Sequence, residues 1–239
     1  MALGAITVII IGTFLLYNSF EARFNSAPFS KDLKLFRNTK HFNISVFGTA
    51  LAEYDILWTA RLVEPFYEKT SAQFGNPSGK TWIVLYIADD FTDYYSSTGE
   101  GVLLPAKRVQ GRDMRFILIK TAHVLIGSDT WPWHRNHIAS EGLAAYCADT
   151  YLKTPFTVDP AFEKKASLTS LDRKRYFVWR RTEAEQEYIY AKAGAFMGYL
   201  ISTYGQKKIQ ALIDEKGQGY EQIYGKSLKD LEVEWLASR

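Results

Sequence analysis

Three of the chain's four histidines, His123, His134 and His137, lie within fifteen residues just ahead of Glu141. Imidazole nitrogens and a carboxylate at such spacing could hold a divalent metal, which would activate a bound water or polarise a carbonyl. At about 100° per residue, His134, His137 and Glu141 project from one face of a helix, and the i, i+4 pair His137 and Glu141 could chelate one ion. A plainer reading makes His134 and His137 polar surface groups at a helix start, beside Trp131 and Trp133. His123 stands in the apolar stretch 116–126, where a lone histidine is more often a hydrogen-bonded core residue than a ligand.

These residues sit in a recognisable order. An alternating stretch, His41 to Phe47, is followed by a helical pattern ending at Gly75 and a buried run from Thr81 to Ile87. Next come an apolar segment holding His123, the run Glu141-Gly142-Leu143-Ala144, a helix from Tyr190 to Leu200, and Tyr204-Gly205. The tail reads Tyr224-Gly225-Lys226-Ser227-Leu228-Lys229-Asp230-Leu231. From about residue 40 onward this order resembles the peptidase MA-like family of gluzincin metallopeptidases, which carry a thermolysin-type zinc site. The resemblance implies that His123 occupies the place of the second zinc histidine and Glu141 that of the zinc carboxylate. Tyr190 then matches the tyrosine that donates to a tetrahedral oxyanion. In place of His-Glu-x-x-His the chain has Ile119-Lys120-Thr121-Ala122-His123. A hydrocarbon replaces the first zinc ligand and an ammonium replaces the general base.

Two departures at once set the functional expectations. The first is a pseudopeptidase without zinc that binds a peptide or protein partner. The second is a working zinc hydrolase with ligands redrawn from His123, His134, His137 and Glu141. The third is a structural subunit of a membrane complex.

The membrane enters because residues 2–17 carry no charge and the apolar character extends to about residue 20. That is close to the length that crosses a bilayer. No small-x-small cleavage site follows it, so the sequence predicts an uncleaved N-terminal anchor over residues 1–20, a polar linker over 21–40 and the main domain over 41–239. The basic flank Arg23, Lys31, Lys34, Arg37, Lys40 argues for a cytoplasmic domain. The family resemblance implies an extracytoplasmic one, and that is the expectation adopted. The net charge of +3 arises from 29 basic and 26 acidic residues with only short basic runs, which excludes a nucleic-acid-binding surface from the expectations. With one cysteine, Cys147, neither an internal disulfide nor a cysteine-based zinc site can form.

Periodicity supplies the elements. Strands are predicted at 41–47, 81–87, 102–104 and 114–119. Helices are expected from Leu51 to Gly75 with a kink or restart at Pro65, from Asp129 to Leu152, from Thr182 to Thr203, onward to Lys216, and from Ser227 with Asp230 closing a capping box. A small mixed β-sheet followed by a helical C-terminal half is an α+β arrangement.

Overall fold

Alternation in the stretch 42–47 sends Phe42, Ile44 and Val46 to one side, and all three are fully buried. The computed structural model describes residues 33–48, 51–89, 97–98, 101–128, 137–154, 167–173 and 183–239. Among them the strands are β1 (Leu33–Asn38), β2 (Phe42–Phe47), β3 (Ile83–Ala88), β4 (Ser97–Thr98) and β5 (Gly101–Pro105). They form one sheet in the order β1-β2-β3-β5-β4, with β2, β3 and β5 parallel and both edge strands antiparallel. The register aligns Ile44 with Leu85 and Leu85 with Val102, then Val46 with Ile87 and Ile87 with Leu104. This apolar face has no solvent exposure, and each such side chain contributes about 1.5–3 kcal/mol relative to exposure.

The strand expected at 41–47 is β2, and the buried run at 81–87 is β3, shifted by one or two residues. The linker expected over 21–40 is partly a strand: residues 33–38 are β1, hydrogen-bonded to β2. The mixed charges of Lys34 and Arg37 masked it, and such charges suit an edge strand that must resist further pairing. Residues 1–32, which include the expected anchor, lie outside the described residues. Among the described residues no helix is long and apolar enough to cross a membrane.

Helix α1 (Glu53–Phe74) runs unbroken through Pro65 and stops at Gly75, whose φ of 72° favours glycine. No restart occurs at the proline. Helix α1 also accounts for the fourth histidine. Glu64 accepts from the His41 backbone N–H at 2.9 Å, from its ring Nδ1 at 2.8 Å and from the Thr39 hydroxyl. Burial would raise the Glu64 carboxyl, but these hydrogen bonds hold it below its ordinary value.

After β5 come α2 (Ala106–Gln110) and α3 (Met114–Leu125). The strand expected over 114–119 is therefore the first half of α3. The apolar run Phe116 to Ile119 lacks the polar alternation that separates the two periods, and the Asp113 carboxylate decides the matter by accepting from Phe116 N–H at 3.1 Å as an N-cap.

Helices α4 (His137–Leu152), α5 (Leu168–Arg173), α6 (Glu183–Tyr204), α7 (Gln206–Asp214), α8 (Tyr220–Tyr224) and α9 (Leu228–Ala237) complete the described chain. The expected start of α4 at Asp129-Thr130-Trp131-Pro132 lies outside the described residues. Its end at Leu152, the bounds of α6, and the Ser227–Asp230 capping box of α9 agree with expectation within a residue or two. A small mixed sheet and a predominantly helical remainder are thus present.

One buried ion pair ties the C-terminal helix down. Lys192 on α6, 1% exposed, meets Glu232 on α9 at 3.2 Å, and Glu232 also accepts from Leu168 N–H at 2.7 Å where α5 begins. Breaking such a pair strands a charge in a poorly solvated place. Lys192→Met is therefore expected to lower stability in chemical denaturation by about 3–5 kcal/mol, and adding Glu232→Gln to recover much of that loss.

Candidate functional site

Helices α3, α4 and α6 pack together as the centre of the helical half, and the site lies where they meet. Their approach depends on one residue. A Cβ on Gly142 would stand 2.7 Å from the Ala193 carbonyl oxygen and 2.8 Å from Met197 Cγ. Only glycine lets α6 come this close to α4, and Glu141 immediately precedes it. Ala144, Ala145, Ala148 and Ala193, all without exposure, keep the seam narrow.

Glu141 is mostly withdrawn from water, its side chain 16% exposed. Its Oε2 lies 3.0 Å from His123 Nε2. The Tyr190 hydroxyl hydrogen-bonds the same carboxylate, and Lys120, itself 5% exposed, donates from Nζ to that hydroxyl at 3.3 Å. Burial, then the Glu141 and Glu187 charges, push the Tyr190 phenol well above its ordinary value. The tyrosine is therefore a proton donor to Glu141 and an acceptor from Lys120. At the far side of the imidazole, His123 Nδ1 lies 2.8 Å from Ser128 Oγ and 3.3 Å from Ser140 Oγ. Ammonium, phenol, carboxylate, imidazole and hydroxyl form one continuous chain of hydrogen bonds.

The proton positions follow from the partners. With Lys120 and Tyr190 supplying donors, Glu141 is an acceptor, so His123 Nε2 must carry a proton to make its bond. In the neutral ring Nδ1 then accepts from a serine hydroxyl. In the charged ring Nδ1 donates to Ser128, whose hydroxyl passes on to the His123 carbonyl at 3.4 Å. Either way Nε2–H points at Glu141.

Two turns along, a second rung repeats the arrangement. Arg115 of α3 donates from Nε to Asp149 of α4 at 2.6 Å and from Nη2 at 3.1 Å, and its Nη1 reaches Glu187 of α6. Its guanidinium also lies 5.9 Å from the centre of the Tyr190 ring. Burial would lower the Arg115 value, but the two carboxylates raise it, so it stays charged. Sequence reasoning missed Arg115, Asp149, Glu187, Ser128 and Ser140. A signal existed for the first two: Arg115 and His123 are eight residues apart, as are Glu141 and Asp149, which is the pattern of two antiparallel helices in register.

The expected residues fare differently. His123, Glu141, Lys120 and Tyr190 are brought together. His134 lies outside the described residues, and His137 opens α4 but its side chain is not among those described. Ile119 is 1% exposed in the hydrophobic core. Cys147 is buried, and burial pushes its thiol up, as suits a small core residue. No group of three or more His, Cys, Asp or Glu gathers around a possible ion among the described residues.

His123 Nε2 and Glu141 Oε2 are hydrogen-bonded to each other rather than held apart around a common point, Ile119 has no lone pair, and the Lys120 ammonium would repel a cation. These side chains do not fit a thermolysin-type zinc site. Serine, histidine and glutamate in line also resemble a nucleophilic triad, but Ser128 is 3% exposed and closed to a substrate. No protein-family model matches the chain, and no curated protein does either.

If Lys120 offsets the Glu141 charge through Tyr190, removing it should strand the carboxylate. Lys120→Met is expected to cost about 3 kcal/mol in urea denaturation, and Lys120→Met with Glu141→Gln to regain most of it. Additive losses in that double-mutant cycle would show that the two residues are not coupled.

Proposed function

We propose that the chain is a membrane-anchored, gluzincin-like protein that has lost peptide hydrolysis and acts by binding a peptide or protein partner. The observation that carries this reading is the chemistry at the two positions where the family resemblance calls for a zinc histidine and a general base. Ile119 is a core hydrocarbon, and Lys120 is an ammonium hydrogen-bonded to Tyr190. A general base must accept a proton from the attacking water, and an ammonium has no lone pair to do so. Lys120 instead supplies locally the positive charge that a metal would bring. The vestigial oxyanion donor, Tyr190, is already spent between Lys120 and Glu141.

Binding is favoured over a purely structural role by the sheet edge. Helix α3 packs beside β5 and β4, and among the described residues β4 is the outermost strand on that side. An extended peptide could add to such an edge through main-chain hydrogen bonds without any catalytic group. The anchor is residues 2–20, with the domain on the extracytoplasmic side.

The full chain in lipid nanodiscs is expected to hold no stoichiometric zinc by elemental analysis and to leave a mixed peptide library uncut. Ile119→His with Lys120→Glu is expected to take up about one zinc per chain, because His123 and Glu141 would complete three protein ligands. One chelator-removable zinc per wild-type chain, lost together with peptide cleavage, would instead establish a hydrolase with rearranged ligands.

A further inference from the structure

The N-terminal end of α1 carries an exposed aromatic and cationic plate. Tyr54 is 64% exposed and Met114, at the start of α3, is 44% exposed. Between the two helices the Arg112 guanidinium lies 5.0 Å from the Tyr54 ring centre and 4.5 Å from that of the partly buried Trp58. Arg112 also donates to Asp55 at 2.6 Å. The plate is therefore held in place before anything meets it. Large amphipathic rings beside an arginine suit the headgroup layer of a bilayer, where the apolar body is covered and the polar tip stays wet.

The topology says what lies opposite. Strand β1 begins with Leu33 paired to Phe47, the last residue of β2, and α1 starts six residues after Phe47. Strand β5 ends at Pro105 on the same end of the sheet and leads through α2 to Arg112 and Met114. The chain preceding Leu33 thus joins the fold at the end that bears the plate. Only residues 21–32 separate it from the uncharged segment, and twelve residues reach at most about 42 Å when extended, or about 20 Å as a coil. So short a tether gives a high local concentration of bilayer surface, and a weak interfacial contact is enough to fix orientation.

We propose that this end of the domain rests on the lipid surface, with Tyr54, Trp58, Arg112 and Met114 in the headgroup layer. The inference rests on the reading of residues 2–20 as a membrane segment. It sets the working height of the candidate site: His123 lies nine residues along α3 from Met114, about 14 Å of helix. A partner is then met close to the membrane, not far above it.

The test uses the full chain in phosphatidylcholine vesicles, with an environment-sensitive fluorophore on Tyr54→Cys, on Met114→Cys, or on Ala72→Cys as control. Ala72 is exposed and lies about 27 Å along α1 from Tyr54. The native Cys147 is buried, which directs labelling to the introduced thiol. Lipid brominated near the top of its acyl chains is expected to quench the labels at 54 and 114 at least about twofold and to leave the label at 72 unchanged, as interfacial depth requires. Labels at 54 and 114 that are no more quenched than that at 72, on protein that still floats with the vesicles, would overturn the proposal and leave the anchor standing. A blue shift at 54 and 114 without quenching would place a protein there and also overturn it. Failure of the chain to float with vesicles would reject the anchor itself, and the proposal with it.

Discussion

A carboxylate taken largely out of water must be given charge and hydrogen bonds, and the helical half of this protein is arranged around meeting that need for Glu141. Helix α3 brings His123 to one oxygen, α6 brings the Tyr190 hydroxyl, and Lys120 stands behind the tyrosine. None of this is possible unless α6 can press against α4, and the bare backbone at Gly142 is what permits it. The Glu-Gly pair is thus one device: a charge to be satisfied, and the gap through which its partner arrives. Arg115, held between Asp149 and Glu187, locks the same three helices two turns away.

The consequence for chemistry is that the polar groups of this site are partnered with one another. A catalytic zinc centre needs lone pairs aimed at a common point, an open coordination position and a base beside it. Here the Glu141 carboxylate is hydrogen-bonded to His123 and Tyr190, and Lys120 is hydrogen-bonded to that tyrosine. Buried polar networks are costly when half satisfied and specify a unique arrangement when complete. With two serine hydroxyls at His123 Nδ1 and the lysine at the far end, this one has a donor for each acceptor named above.

Much of this was legible in the sequence, for reasons that also explain the gaps. Strand β2 alternates cleanly, α1 has a strong helical repeat and a terminal glycine, and α9 announces itself with a capping box, so all three are legible as elements, although the restart expected at Pro65 does not occur. Strand β1 was lost because an edge strand carries charges that look like a linker. The first half of α3 was misread because Phe116 to Ile119 is apolar without a break, and from Ile117 to Leu125 the helix is buried on every side, so no polar face shows its period. His123, Lys120, Glu141 and Tyr190 were found through motif order. Arg115, Asp149 and Glu187 were not, since the pairing of α3 with α4 emerges only when the spacing of eight residues is compared across two helices. Ser128 and Ser140 gave no signal of their own, because a hydroxyl near a helix end is among the commonest features of any chain.

A proton on Nε2 joins His123 to Glu141. Proton–nitrogen correlation spectra of the His123 side chain in the full chain, recorded before and after adding zinc, test it most directly. A signal from a proton on Nε2, slow to exchange and unmoved by zinc, is expected. Loss of that proton on adding one equivalent of zinc, with the nitrogen shift of a metal-bound imidazole, would contradict it.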